Sequence, residues 1–283
     1  MGVLCGHVSI LADEVADARQ IVGEAVYVAG WMSFDASHHE AARRYFSLAL
    51  KLAAEADDAP LAGHTLRAMA HQATDLGHPL EAVDLATASV ERKRYTLATP
   101  RERALLCVVQ ARSPAANGQR QEAIAALLRA EDDLAAAAPS NGDPHRVWFF
   151  QRASLAHETA RTLWTPGDLE GALREFDNSV LTRKADTFTR THAVTLGYMG
   201  TVQARKGNVE AACTTWAQAL DAMEGVQSGR AEPVLTHPPS PGHRRYSRQV
   251  QMTQVRPSEL AAADHRRHHH PGGLGGGHRL GDS

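Results

Sequence analysis

The chain has 283 residues, a formal net charge of −2, 43% apolar residues and only 5% aromatics. So near-neutral a balance gives no global attraction to nucleic acid or to an anionic membrane, and no run approaches the roughly 18 apolar residues of a membrane span. The cysteines Cys5, Cys107 and Cys213 form neither a CxxC pair nor an even disulfide set, so a reducing, cytoplasmic setting is expected.

In chain order, residues 1–19 read as an N-terminal leader or partial helix. Met1 to Ile10 has no basic stretch ahead of a long apolar core, so no signal peptide is expected. The apolar set is mostly Ala and Leu, which suits close-packed helices, and an all-α fold is expected. Residues 20–229 then repeat one pattern five times. The copies are Ser37-His-His-Glu-Ala-Ala42, Gly77-His-Pro-Leu-Glu-Ala82, Gly118-Gln-Arg-Gln-Glu-Ala123, Gly167-Asp-Leu-Glu-Gly-Ala172 and Gly207-Asn-Val-Glu-Ala-Ala212. Each has a small turn residue with Ala five positions on. Four residues past that Ala stand Phe46, Leu127, Phe176 and Trp216, with Ala86 as the exception in the second copy. Three further on come Ala49, Ser89, Ala130, Ser179 and Ala219. Seven before the turn residue come Gly30, Ala70, Ala111, Ala160 and Gly200. Small residues are needed where two helices cross closely, and large ones fill the space beside them. Glycine at the turn accepts φ > 0 and ends the first helix.

Two stretches depart from the pattern. Pro114 falls inside the first helix of the third copy, where a kink or an early helix end is expected. Pro139 to Pro144, with Ser140-Asn-Gly-Asp between them, reads as a loop. From Arg230 onward the periodicity stops. Residues 230–283 hold six of the 13 prolines, seven of the 16 histidines, eight Arg and no Lys, and are expected to be disordered. An inert tail is the favoured reading. A His cluster for Zn²⁺ or Ni²⁺ and a basic arm for nucleic acid are the alternatives. Such a composition also arises when a high-GC gene is read out of frame. A frameshift in place of a normal last helix would leave the fifth copy's apolar face uncapped.

The search for chemistry yields no HExxH, GxxxxGK[ST], GxSxG or strand–turn–helix GxGxxG, and Gly272–Gly277 follows no strand. No catalytic, cofactor or metal site is expected, and the chain does not read as an enzyme. His38 and His39 read as exposed residues at a helix start. Asp57-Asp58 and Asp132-Asp133 read as polar helix ends. Cys107 and Cys213 read as buried, inert thiols.

The spacing of turn, Ala and bulky residue resembles the tetratricopeptide repeat, although the steps of 40, 41, 49 and 40 between the Ala positions exceed the roughly 34 residues of the simple unit. The resemblance implies a right-handed α-solenoid of about five helix pairs whose first helices line a concave face. Taking that phase, Tyr27, Trp31, Arg67, His71, Arg112, His157 and Arg161 point inward. Val108, Gly197 and Thr201 share the phase, Tyr198 sits one place beyond Gly197, and Phe34 and Trp164 lie one turn further on. Arg and His in phase with Trp31 imply an accessible groove, part aromatic and part basic, suited to a protein or peptide with apolar anchors and acidic groups. In the alternative, Tyr27, Trp31 and Trp164 pack between repeats, and Arg112 and Arg161 pair with neighbouring acids.

A narrower resemblance covers roughly residues 15–229. Ala25-Val-Tyr-Val-Ala-Gly-Trp-Met-Ser-Phe-Asp-Ala36, Arg44-Tyr-Phe46 and Ala70-His-Gln-Ala-Thr-Asp-Leu-Gly-His-Pro79 resemble the repeat region of actinobacterial helix-turn-helix (XRE-type) transcriptional regulators. That implies the regulatory, peptide- or protein-sensing half of such a regulator. About 20 residues precede the first repeat, too few for the family's DNA-binding domain. The alternative is a regulator that contacts DNA directly, through the basic tail or an upstream helix-turn-helix domain.

Overall fold

A computed structural model describes residues 2–137 and 142–224, the first twelve of these by backbone alone. The tail at 230–283 lies outside the described residues, as do Pro139, Ser140 and Asn141 of the expected loop. Among the described residues the fold is all-α, with no strand. The helices are α1 (Gly2–Asp35), α2 (His39–Glu55), α3 (Ala59–Asp75), α4 (Pro79–Ser89), α5 (Lys93–Thr96), α6 (Pro100–Ala116), α7 (Arg120–Ala136), α8 (Arg152–Trp164), α9 (Leu169–Thr182), α10 (Thr189–Arg205) and α11 (Val209–Ala222), with a 3-10 turn at His145–Val147. α1 runs without a break through residue 19, so the leader expected there is the first half of a 34-residue helix.

Five pairs dominate the packing: α1 on α2, α3 on α4, α6 on α7, α8 on α9 and α10 on α11. Each pair touches the next, through α2 and α3, α3 and α6, α6 and α8, and α9 and α10. The turn inside each pair sits on the residue singled out by the repeat. Gly77, Gly118, Gly167 and Gly207 have φ of 78°, 79°, 93° and 88°. Ser37 takes the same left-handed conformation at φ 63°, without glycine's freedom. Helix starts are fixed locally. Asp58 accepts from the Leu61 amide and Asp168 from the Gly171 amide. Thr99 and Glu102 form a reciprocal capping box ahead of Pro100.

The repeated positions form the contact between the helices of a pair. Ala42, Ala82, Ala123, Ala172 and Ala212 are all buried. So are Phe46, Phe176 and Trp216, whose rings lie directly on the facing helix. A Cβ added to Gly30 would stand 2.6 Å from the Phe46 ring, and one added to Gly200 would stand 2.7 Å from Trp216. In the second pair Ala70 faces Ala86, and the space a large residue would fill is closed from the neighbouring pair by Leu105, Val108 and Val109 of α6.

Pro114 does not end α6 early. The helix continues to Ala116 and turns at Gly118 in phase with the other pairs. The proline stands in the last turn, so the hydrogen bond it forfeits is the one to the carbonyl of half-buried Gln110, and its own carbonyl accepts from the Gln119 amide. The two cysteines with described side chains differ from each other. Cys107 is fully buried, and its thiol is pushed up to about 11 by that burial and then by Asp133. Cys213 is only half-buried, because it sits at the edge of the α11 face that carries Ala212 and Trp216. Asp132 and Asp133 lie inside α7 rather than at its end, where Asp133 accepts a 2.6 Å hydrogen bond from Tyr95.

Candidate functional site

A cavity of about 1350 Å³ is lined by the first helix of every pair, together with the 3-10 turn and the segment leading into α10. Tyr27, Trp31, Phe34, Arg67, His71, Val108, Arg112, His157, Arg161, Trp164 and Tyr198 line it, whereas Gly197 and Thr201, which share the repeat phase, do not. Their surroundings differ from the accessible basic groove that the sequence implied. Tyr27, Phe34, Arg67, His71, Arg112 and His157 are buried, and Trp31, Arg161, Trp164 and Tyr198 are half-buried. The chain covers these polar groups because helix after helix presents a carboxylate or an aromatic ring to them.

One end of the cavity is aromatic. Trp31 packs 5.6 Å from Phe34 and 5.5 Å from His71, centroid to centroid, and its indole nitrogen donates to the Tyr27 hydroxyl. Arg67 lays its guanidinium over the Trp31 ring at 5.2 Å and donates to the same hydroxyl at 2.7 Å. His64 lies beneath, with its ring 4.7 Å from Tyr27. Burial, then Arg67 and Arg146, hold its imidazole pKa well below the usual range.

The centre is ionic. Asp75, at the end of α3, accepts from Arg112 of α6 and from Arg161 of α8, the latter at 3.2 Å. His71, one helical turn before it, places Nε2 at 3.4 Å from the Asp75 carboxylate and Nδ1 at 3.1 Å from an Arg112 nitrogen. Glu158 approaches Arg112 at 3.7 Å. Three helix pairs thus share one network. Burial would raise the Asp75 carboxyl, yet Arg112, His71 and Arg161 together hold it well below the usual carboxylate range. The arginines are therefore not free cations facing an open groove; they are the counter-ions of Asp75 and Glu158.

At the far end His157 meets the Thr195 hydroxyl at 2.9 Å and packs against Phe176 and Tyr198. Arg161 lies over Tyr198 at 4.5 Å, and Arg205 over Trp164 at 4.9 Å. Residues outside the repeat phase complete the wall. Arg146, on the 3-10 turn, donates to Glu24 of α1 and to Glu102 of α6. Arg190 of α10 pairs with Asp35 of α1 at 2.5 Å. Trp148 stacks on Phe188 at 5.2 Å. No periodic signal marks these residues, because they come from connections or from helix ends. Asp75 did carry one: it stands four residues after His71, on the same helical face.

The buried groups give the site an acid limit. His157 is pushed down to about 3 from 6.5, mainly by burial; Glu158 opposes the shift, and Arg161, Arg183 and Arg112 add to it. Burial alone would raise Glu158, but Arg112, His157, His71 and Arg161 bring it down to about 2 from 4.5. Both folded-state values lie below the unfolded ones. Stability from each group is thus complete above its unfolded value and is lost on acidification: from pH 6.5 toward 3 for His157, and from 4.5 toward 2 for Glu158. His64 has the same sign as His157. Urea unfolding should show a constant midpoint above pH 7 and a decline below about pH 6.5, each histidine proton adding up to about 1.4 kcal/mol per pH unit. His64 and His192 are also held low, so His157→Gln should remove roughly a third of the decline between pH 6 and 5; an unchanged decline would count against a buried neutral His157.

No protein-family model matches the chain, and comparison with curated proteins returns no match.

Proposed function

We propose that this chain is a tetratricopeptide-type α-solenoid whose cavity binds a peptide segment of a protein partner, acting as the sensing half of a transcriptional or developmental regulator. The succession of five helix pairs with the left-handed turn residue at one phase supports the architecture. The regulatory role rests on the resemblance of Ala25–Ala36 and Ala70–Pro79 to the repeat region of helix-turn-helix regulators.

Arg67 carries the binding proposal. It is 3% exposed and lines the cavity, its Nε has no hydrogen-bond partner, and its guanidinium donates to the neutral Tyr27 hydroxyl and lies over the Trp31 ring. A desolvated guanidinium without a counter-charge costs several kcal/mol. A ligand carboxylate reaching it offsets that cost with a charge-assisted hydrogen bond. Half-buried Trp31 beside it offers a ring to an apolar neighbour on the same ligand. The test is selection of a random peptide library on the immobilised chain, with Arg67→Met as the comparison. Wild type should enrich peptides that place an acidic group beside an apolar residue. Arg67→Met, with unchanged circular dichroism, should lose the acidic preference. Equal enrichment by both proteins, or none by wild type, overturns the reading.

A further inference from the structure

α1 is apolar on two faces, and only one is covered. On the covered face Gly23 abuts Leu52 and Leu61, Gly30 receives Phe46, and Tyr27 and Phe34 join the first pair's core. The other face is open to solvent. Val15, Ile21, Val22, Val28 and Met32 are 45%, 69%, 49%, 51% and 68% exposed, and Ala18 and Ala25 between them are exposed as well. Helices that are apolar all round are found buried, so this face calls for a cover.

The spacing says what kind. Val15, Ala18, Val22, Ala25, Ala29 and Met32 follow one another at alternating steps of three and four. In the sequence the same spacing runs back through Leu11, Val8 and Leu4. This is a seven-residue repeat sustained along α1, and a strict repeat of that length seats an α-helix against a partner helix in a left-handed supercoil. Helix α2, with 17 residues, has half the length of α1, and its last residue, Glu55, reaches Arg19.

We propose that this stripe pairs with the same stripe of a second copy of the chain, as a parallel two-stranded coiled coil. Two features select that occupant. Val8, Val15 and Val22 fall at the a positions and Leu4 and Leu11 at d. β-Branched a residues with Leu at d favour two strands over three or four. The flanking charges agree. Glu14 falls at g and Arg19 at the following e, and both are exposed. In a parallel pair, g faces the e of the partner's next heptad, so Glu14 of each copy meets Arg19 of the other, giving two opposite-charge pairs across the interface. An antiparallel pair matches g with g and e with e, bringing like charges together. The present Arg19–Glu55 contact, at 3.5 Å with both side chains well exposed, is a surface pair that Arg19 can exchange at little cost. Ile21 and Val28, at the two g positions after Glu14, widen the apolar seam.

Sedimentation equilibrium of the full chain tests this directly. Wild type should sediment at twice the mass of one chain. Val15→Glu with Val22→Glu should halve that mass, and circular dichroism should keep its helical signal, because neither side chain belongs to the core. Glu14→Arg alone and Arg19→Glu alone should each weaken the dimer, and the two together should restore it, since the exchange preserves the g-to-e match. A monomer at every concentration overturns the proposal and leaves the stripe to a different chain. So does a dimer indifferent to the two glutamates. Failure of the double exchange to restore association overturns the parallel register.

Discussion

Arg112→Ala should lower the free energy of unfolding by about 3–5 kcal/mol, the range for breaking a buried ionic network by removing one partner. Arg112 is only 4% exposed and binds Asp75, His71 and Glu158 at once. Its loss leaves Asp75 with Arg161, and Glu158 with no other cation within 4 Å among the described residues. Asp75, whose side chain is 21% exposed, and half-buried Glu158 then lose much of their compensation. The cost should depend on pH in a defined sense. Both carboxyls are held below their ordinary values in the folded chain, so the stability they contribute is present above those values and fades as acid protonates them. The difference between wild type and Arg112→Ala should therefore be largest near neutrality and smaller near pH 4. Arg112→Lys keeps the charge but loses the planar fork that reaches three partners, and should fall between the two. Urea unfolding followed at two pH values measures all three. A loss below about 1 kcal/mol at neutral pH would mean that Asp75 and Glu158 do not depend on Arg112 for compensation.

The second large effect is steric. Gly30→Val should cost about 3 kcal/mol, the upper end of the range for overpacking a core. An ideal Cβ at Gly30 meets two carbons of the Phe46 ring at 2.6 Å, and Phe46 is completely buried. The ring cannot retreat without separating α1 from α2. Gly77→Ala is the informative contrast. Nothing lies within 4 Å of its Cβ, so only the φ of 78° resists the change, at about 1 kcal/mol. Phe46→Ala alone should cost about 3–5 kcal/mol through the cavity it leaves. Combined with Gly30→Val it should cost clearly less than the sum, because the valine occupies part of that cavity. Strict additivity would mean that the two residues do not share one space.

The sequence announces the elements whose geometry repeats and misses those that arise between repeats. A turn residue forced to positive φ, an Ala where helices cross and a ring opposite a glycine each depend on contacts within one pair. Such contacts recur at fixed spacing, and so they were readable at Ser37, Gly77, Gly118, Gly167 and Gly207. The same phase brought eleven residues to one cavity and missed only at Gly197 and Thr201. It could not say what they would meet there. The acid that reaches Arg112 depends on how α3 and α8 are set against α6, which is a property of neighbouring pairs rather than of any single spacing. Hence a basic groove was expected where the chain places Asp75 and Glu158 among the arginines. The 3-10 turn with Arg146 falls in the longest inter-repeat step, where there is no period to read. Likewise α5, with the tight crossing of Gly63 under Ser89 and Arg94, has no counterpart in the other pairs. Pro114 stands in the last turn of α6, where a proline forfeits one hydrogen bond without breaking the helix.

The Asp35–Arg190 pair joins helices that are 155 residues apart in the chain and borders the cavity on the side of α10. Both side chains are partly exposed. An exposed pair is worth about 0–1 kcal/mol and is screened over a Debye length of about 8 Å at physiological ionic strength. The buried network around Asp75 is far less sensitive to salt. Ions in solution therefore act on the clasp and hardly on the floor. Raising the salt concentration should loosen the α1–α10 contact before it reaches the Arg112 network.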